Sequence, residues 1–200
     1  MHPIWLEGTS LKGMTHYERP EYPCCMYGIR GFNEEQAALA CAYHEAGHAI
    51  VGLAVGMPTR NVSIRIETCG KCGAPSAGGE NQAVSLHAVP GPDAVMMLAA
   101  GTQAELLWLT TNGHFSEAVG WMTEVGGLND QSDAQDVAHH YGEVLDYTVP
   151  ATGAPYSFPA QQVRAQVTLA ALRDQVTAVA EELAVRRTLA ADEVVQLART

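Results

Sequence analysis

The sequence predicts a mainly helical α+β domain with one small β-hairpin or sheet, on three observations. The chain between Asn33 and Pro58 has the start and stop signals of one long helix. Val62, Ile64 and Ile66 alternate with polar residues, and apolar residues return at helical spacing over 93–110 and 163–185. With 200 residues, 47% of them hydrophobic, the chain has the size and composition of one domain with a proper core.

Taken in order, residues 1–32 are punctuated by Pro20, Pro23, Gly28 and Gly31 and read as an irregular extension packed on the domain, which occupies 33–200. Asn33 is a good N-cap, Glu34 and Glu35 put negative charge at the helix start, and Gly56 with Pro58 stops it, giving a helix over 34–55. Residues 61–67 have the period of a half-buried strand, and 82–86 can pair back on them across a glycine-rich turn. Pro92 sits at the first turn of a second apolar helix over 93–110. After a Pro-rich connector, 147–159, the residues Val163, Val167, Leu169, Leu172, Val176, Val179, Leu183 and Val185 fit one amphipathic helix.

The chemistry concentrates on the first helix, in Ala42-Tyr43-His44-Glu45-Ala46-Gly47-His48-Ala49-Ile50-Val51. His44 and His48 lie one turn apart on one face, so both imidazoles can reach a single tetrahedral zinc. Glu45 then stands where it can hydrogen-bond a water at the metal's open position, the H-E-x-x-H arrangement of a zinc peptidase. Gly47 costs about 1 kcal/mol in mid-helix relative to alanine and marks a close approach to the backbone. A catalytic zinc needs a third protein ligand, which the motif does not supply.

The decapeptide resembles the zinc-site helix of the FtsH-type peptidases, the protease modules of membrane-bound AAA proteases. The likeness continues through the hairpin near 62–67, the Gly101-Thr102-Gln103-Ala104-Glu105 helix, the Asn129-Asp130 helix and the region 183–197. It implies a zincin-like helical metallopeptidase domain with Zn2+ held by His44, His48 and Asp130, with Asp133, one turn on, as the alternate third ligand. It also implies that Glu105 lies beside the zinc site and orients a ligand histidine; a surface carboxylate is the other reading. Thr188 would cap the closing helix, and the small sheet would hold substrate backbone at its edge. The stretch 112–128, which contains Trp121, is longer than the family usually has.

The implied reaction is hydrolysis of peptide bonds in peptides or unfolded proteins, with Glu45 as general base on zinc-bound water. A non-catalytic zinc-binding adaptor or sensor of the same fold is the alternative, against which the intact Glu45 speaks. The net charge of −11 and pI near 5.0 exclude a nucleic-acid partner, since phosphate binding needs a basic face. No apolar run is long enough for a membrane span and no signal peptide opens the chain, so a cytoplasmic protein is expected. The lysines are Lys12 and Lys71 alone, and neither lies in a phosphate-binding loop; a separate ATPase chain, docked on residues 1–32, or further copies of this one are the candidate partners.

Cys69-Gly70-Lys71-Cys72-Gly73 is half of a zinc knuckle that Cys24 or Cys25 could complete, although reduced, unpaired thiols are the simpler reading. Cys41 reads as a small buried apolar residue, and His139 and His140 as surface or packing histidines.

Overall fold

A computed structural model describes residues 1–5, 12–22, 24–148 and 154–199. Pro23 and residues 149–153 of the Pro-rich connector lie outside the described residues. Strands β1 (His2–Trp5) and β2 (Lys12–Thr15) pair antiparallel, so the segment expected to be irregular opens with a hairpin. An isolated hairpin is marginal in water, and the support here is tertiary. The Gln131 side chain accepts from Met14 N at 2.8 Å and donates to Met14 O at 2.9 Å, completing the edge of β2 as a further strand would. Ile4 meanwhile buries against Trp121, Met122, Val125 and Leu128. A single 3₁₀ turn, Met26–Ile29, leads on to the first helix.

Helix α1 (Glu34–Ala54) starts at a full capping box: Asn33 Oδ1 accepts from Gln36 N at 2.8 Å and Gln36 Oε1 accepts from Asn33 N at 3.0 Å. It ends at Gly56, whose φ of 82° suits a residue without a Cβ. Helix α2 (Gly91–Thr111) lies along α1, and a Cβ on Gly47 would stand 2.6 Å from Ala100 O and 2.7 Å from the Ala104 Cβ. The mid-helix glycine is therefore the contact point of two helices. Ala42, Ala46, Ala49 and Ile50 join Val95, Met96 and Met97 in the core between them.

On another side α1 carries a three-stranded antiparallel sheet of order β4-β3-β5, built from β3 (Thr59–Thr68), β4 (Pro75–Ala83) and β5 (Thr188–Ala190). The strand paired with β3 is thus earlier than the expected 82–86: Val62 faces Asn81 and Ile64 faces Gly79. The turn is confined to Cys69–Gly73, closed by Cys69 N to Ala74 O at 2.9 Å, with Gly73 at φ 71°. The glycines Gly78 and Gly79, which looked like turn, are strand residues facing a cleft.

Helix α3 (Glu117–Gly126) fills the long stretch around Trp121, capped by Ser116 Oγ, and α4 (Leu128–His140) follows it directly. The single helix expected over 163–185 is two, α5 (Phe158–Ala171) and α6 (Arg173–Arg186), broken where Leu172 leaves helical geometry. α5 packs on α2 and α6 on α1, which one straight helix could not do, and Val163, Val167 and Val185 remain exposed. Arg187, at φ 70°, then turns the chain into β5. Thr188 is consequently a strand residue rather than a cap, and the last helix, α7 (Ala191–Leu197), begins with the Glu193 carboxylate accepting from Ala190 N at 2.8 Å. The architecture is mainly helical α+β, as the sequence predicts, with two small sheets where one was expected. No helix among the described residues is long and apolar enough to cross a membrane.

Candidate metal centre

Three elements converge on one point. His44 and His48 come from α1, one turn apart; Asp130 comes from the first turn of α4; and one ligating atom from each lies within 4.8 Å of the others. Asp130 Oδ2 is 3.1 Å from His44 Nε2, and its Oδ1 is 3.3 Å from His48 Nε2. Asp133 is exposed on the cleft wall and outside this group, so Asp130 is the carboxylate that faces both imidazoles.

The opposite nitrogen of each ring is held. His48 Nδ1 is 2.9 Å from Met97 O, and because a carbonyl only accepts, Nδ1 carries the proton. The Nε2 lone pair of neutral His48 then points at a carboxylate oxygen, acceptor against acceptor, unless a cation or a proton lies between them. His44 repeats the arrangement, with Nδ1 3.3 Å from Glu105 Oε2. This donor set, two Nε2 atoms and a carboxylate with each Nδ1 engaged, fits zinc.

Without a metal the electrostatics show the same demand for positive charge. Burial opposes protonation of His44, yet hydrogen bonds to Asp130 and Glu105 outweigh it and raise its pKa well above the ordinary value. Burial likewise opposes protonation of His48, and Asp130 overrides it. For Asp130 burial favours the neutral acid, but the two imidazoles hold its carboxyl well below the usual carboxylate range. Glu45 goes the other way, raised by burial, with the histidines offsetting part of the rise.

Glu105 is buried, not a surface carboxylate. Its Oε1 pairs with Arg30 Nη2 at 2.5 Å and accepts from Thr123 Oγ1 at 3.2 Å while Oε2 meets His44. The chain Arg30–Glu105–His44 therefore runs from the N-terminal segment into the site, and burial, which would neutralise Glu105, is overcome chiefly by Arg30. Two glycines make room. A Cβ on Gly101 would fall on the Nε2 atoms of both histidines, and one on Gly79 would fall on the Glu45 carboxyl. Arg30, Met97 O and Gly79 were not legible: one is distant in sequence, one is a backbone atom, and one resembled a turn. Gly101 carried a signal, a glycine inside an otherwise strong apolar helix.

The site opens into a cleft of ≈ 690 Å³, bounded by β4 at Gly78 and Gly79, by α4 at Asn129 and Asp133, and by Tyr27 and Arg30. Of the residues set aside on sequence, Cys41 is buried in the core, and His139 and His140 are exposed, His140 stacking on His87 with ring centroids 3.9 Å apart. Cys24, Cys25, Cys69 and Cys72 form a second cluster away from the histidines. No protein-family model matches the chain, and no curated protein matches it.

Glu105→Gln tests the outer hydrogen bonds. The amide cannot neutralise Arg30 and holds His44 less firmly, so zinc affinity should fall roughly 10–100-fold. The half-buried Arg30, left without its carboxylate but open to the cleft, should lower stability by less than the ~3–5 kcal/mol of a fully buried pair. Zinc titration, with denaturant unfolding in chelator to remove the metal's own contribution, measures both.

Proposed function

We propose that the chain is a zinc metalloendopeptidase similar to the FtsH-type peptidases, acting on peptides and unfolded proteins. The observation that carries the reading is the convergence of His44, His48 and Asp130 beside Glu45 in a cleft with an edge strand on its wall. Zinc bound by the three ligands would supply a Lewis acid that polarises a scissile carbonyl and acidifies water. Glu45 accepts the proton of the attacking water and delivers it to the leaving amine.

Substrate binding follows from β4, which has β3 on one side and, among the described residues, no strand on the other. An extended peptide can add to that edge through backbone hydrogen bonds, and Gly79, which has no Cβ, leaves room for the Glu45 carboxyl beside the strand. Such binding requires several consecutive residues free of structure, which a folded protein does not offer. The proposal includes action in the cytoplasm, where thiols such as Cys24 and Cys72 stay reduced.

Incubation of the pure protein with a permanently unfolded protein and with a stably folded one tests this. Cleavage of the first only is expected, abolished by chelator, restored by zinc and indifferent to ATP. Zinc-loaded protein that binds the unfolded chain without cutting it would favour the adaptor reading. Digestion of the folded protein only in cell lysate with ATP would indicate a separate ATPase that feeds the cleft.

A further inference from the structure

Four of the five cysteines are gathered at one place. Cys24 and Cys25 come from the N-terminal segment, Cys69 and Cys72 from the β3–β4 turn, and the four sulfurs all lie within 4.8 Å of one another. Cys25 Sγ is 3.4 Å from Cys72 Sγ, across 47 residues of sequence. That separation is far from the ~2.05 Å of a disulfide and close to the spacing of about 3.8 Å between sulfurs bonded at ~2.3 Å to one tetrahedral zinc. The turn has the build of a knuckle. Gly73 N–H donates to Cys69 O at 2.9 Å, Cys69 N–H donates to Ala74 O at 2.9 Å, and Gly73 turns the chain back at φ 71°.

We propose that Cys24, Cys25, Cys69 and Cys72 bind a second zinc ion, a closed four-thiolate structural site that fastens the N-terminal segment to the β3–β4 hairpin. Binding exchanges the four thiol protons for one Zn2+ and leaves a net charge of −2, with the Lys71 ammonium in the same turn. No position is left open for water, so the site is not catalytic. What it secures is the mouth of the cleft: Tyr27 and Arg30 lie just beyond Cys25, and β4 begins just beyond Cys72, so both walls hang from the same knot. This site is independent of the histidine centre and stands whether or not the chain is a peptidase.

Elemental analysis of the full chain, purified under reducing conditions without chelator, should find two zinc ions. His44→Ala should keep one, the paired change Cys69→Ser and Cys72→Ser should keep one, and all three changes together should keep none. A cysteine variant with the parent's zinc content overturns the proposal. A second measurement needs no variant: the unaltered protein reconstituted with cobalt(II) should show intense thiolate-to-cobalt charge-transfer absorption, which the histidine–aspartate centre cannot give. Absence of that band, or disulfides among the four cysteines in the reduced preparation, overturns it as well. Loss of the band's intensity in His44→Ala would also count against it, by tying the sulfurs to the wrong centre.

Discussion

Replacing Glu45 by glutamine should cut peptide hydrolysis roughly 10²–10⁴-fold, about 3–5 kcal/mol of barrier, while zinc content and fold remain those of the parent. Glutamine has nearly the shape of glutamate, so the contact with the β4 backbone at Gly79 is preserved. The amide cannot accept the proton of an attacking water or return one to the leaving nitrogen. The fold should not suffer, because the position is buried and burial already disfavours its charged form. The loss should fall on kcat with KM little changed, since Glu45 is not needed to hold a peptide along β4. Turnover on an unfolded substrate, elemental analysis and thermal unfolding of one preparation measure the three quantities. Undiminished turnover with zinc retained would remove Glu45 from the mechanism.

The parts of the fold legible in the sequence were those whose signals are local. Asn33 and Gly56 bracket α1 within two residues of its bounds, and Pro92 marks the first turn of α2. The errors arose where tertiary partners decide. β4 has no apolar alternation because it faces a cleft, so the sequence pattern points to 82–86 instead. The break at Leu172 was hidden because the apolar spacing runs through it, although three of those valines are solvent-exposed. β1 and β2 depend on Gln131, more than a hundred residues away, and nothing near Met14 announces that partner.

The site divides along the same line. His44, Glu45 and His48 are held in register by one helix, and helical geometry alone brings the imidazoles to one face. Asp130 required the resemblance of its Asn-Asp helix, because no spacing rule links α4 to α1. Arg30 required the structure. It sits in a segment that looked like an appendage, yet its guanidinium fixes the carboxylate that orients His44. The N-terminal segment is therefore part of the site's support, and the cysteine cluster ties the same segment to the opposite wall.

Asp130→Asn should weaken zinc binding by more than the 10–100-fold that loss of an outer hydrogen-bond partner costs, whereas Asp133→Asn should change it little. The substitution removes the negative charge facing two nitrogens and supplies an N–H that can bond to an imidazole lone pair, so it stabilises the metal-free site as it weakens the metal-bound one. Burial opposes protonation of His44 and His48, and Asp130 overrides it at His48 and, together with Glu105, at His44. In the variant both rings should lose their protons more readily, and the carboxylate's share of the cation's attraction is gone. Asp133 lies one turn further along α4, exposed at the cleft wall and outside the three-ligand group. Competition of each variant against a calibrated zinc chelator gives the affinities, with the cysteine pair changed to serine in every sample so that one site alone is titrated. A loss confined to Asp133→Asn would mean that the third ligand lies one turn along α4 from where it is assigned.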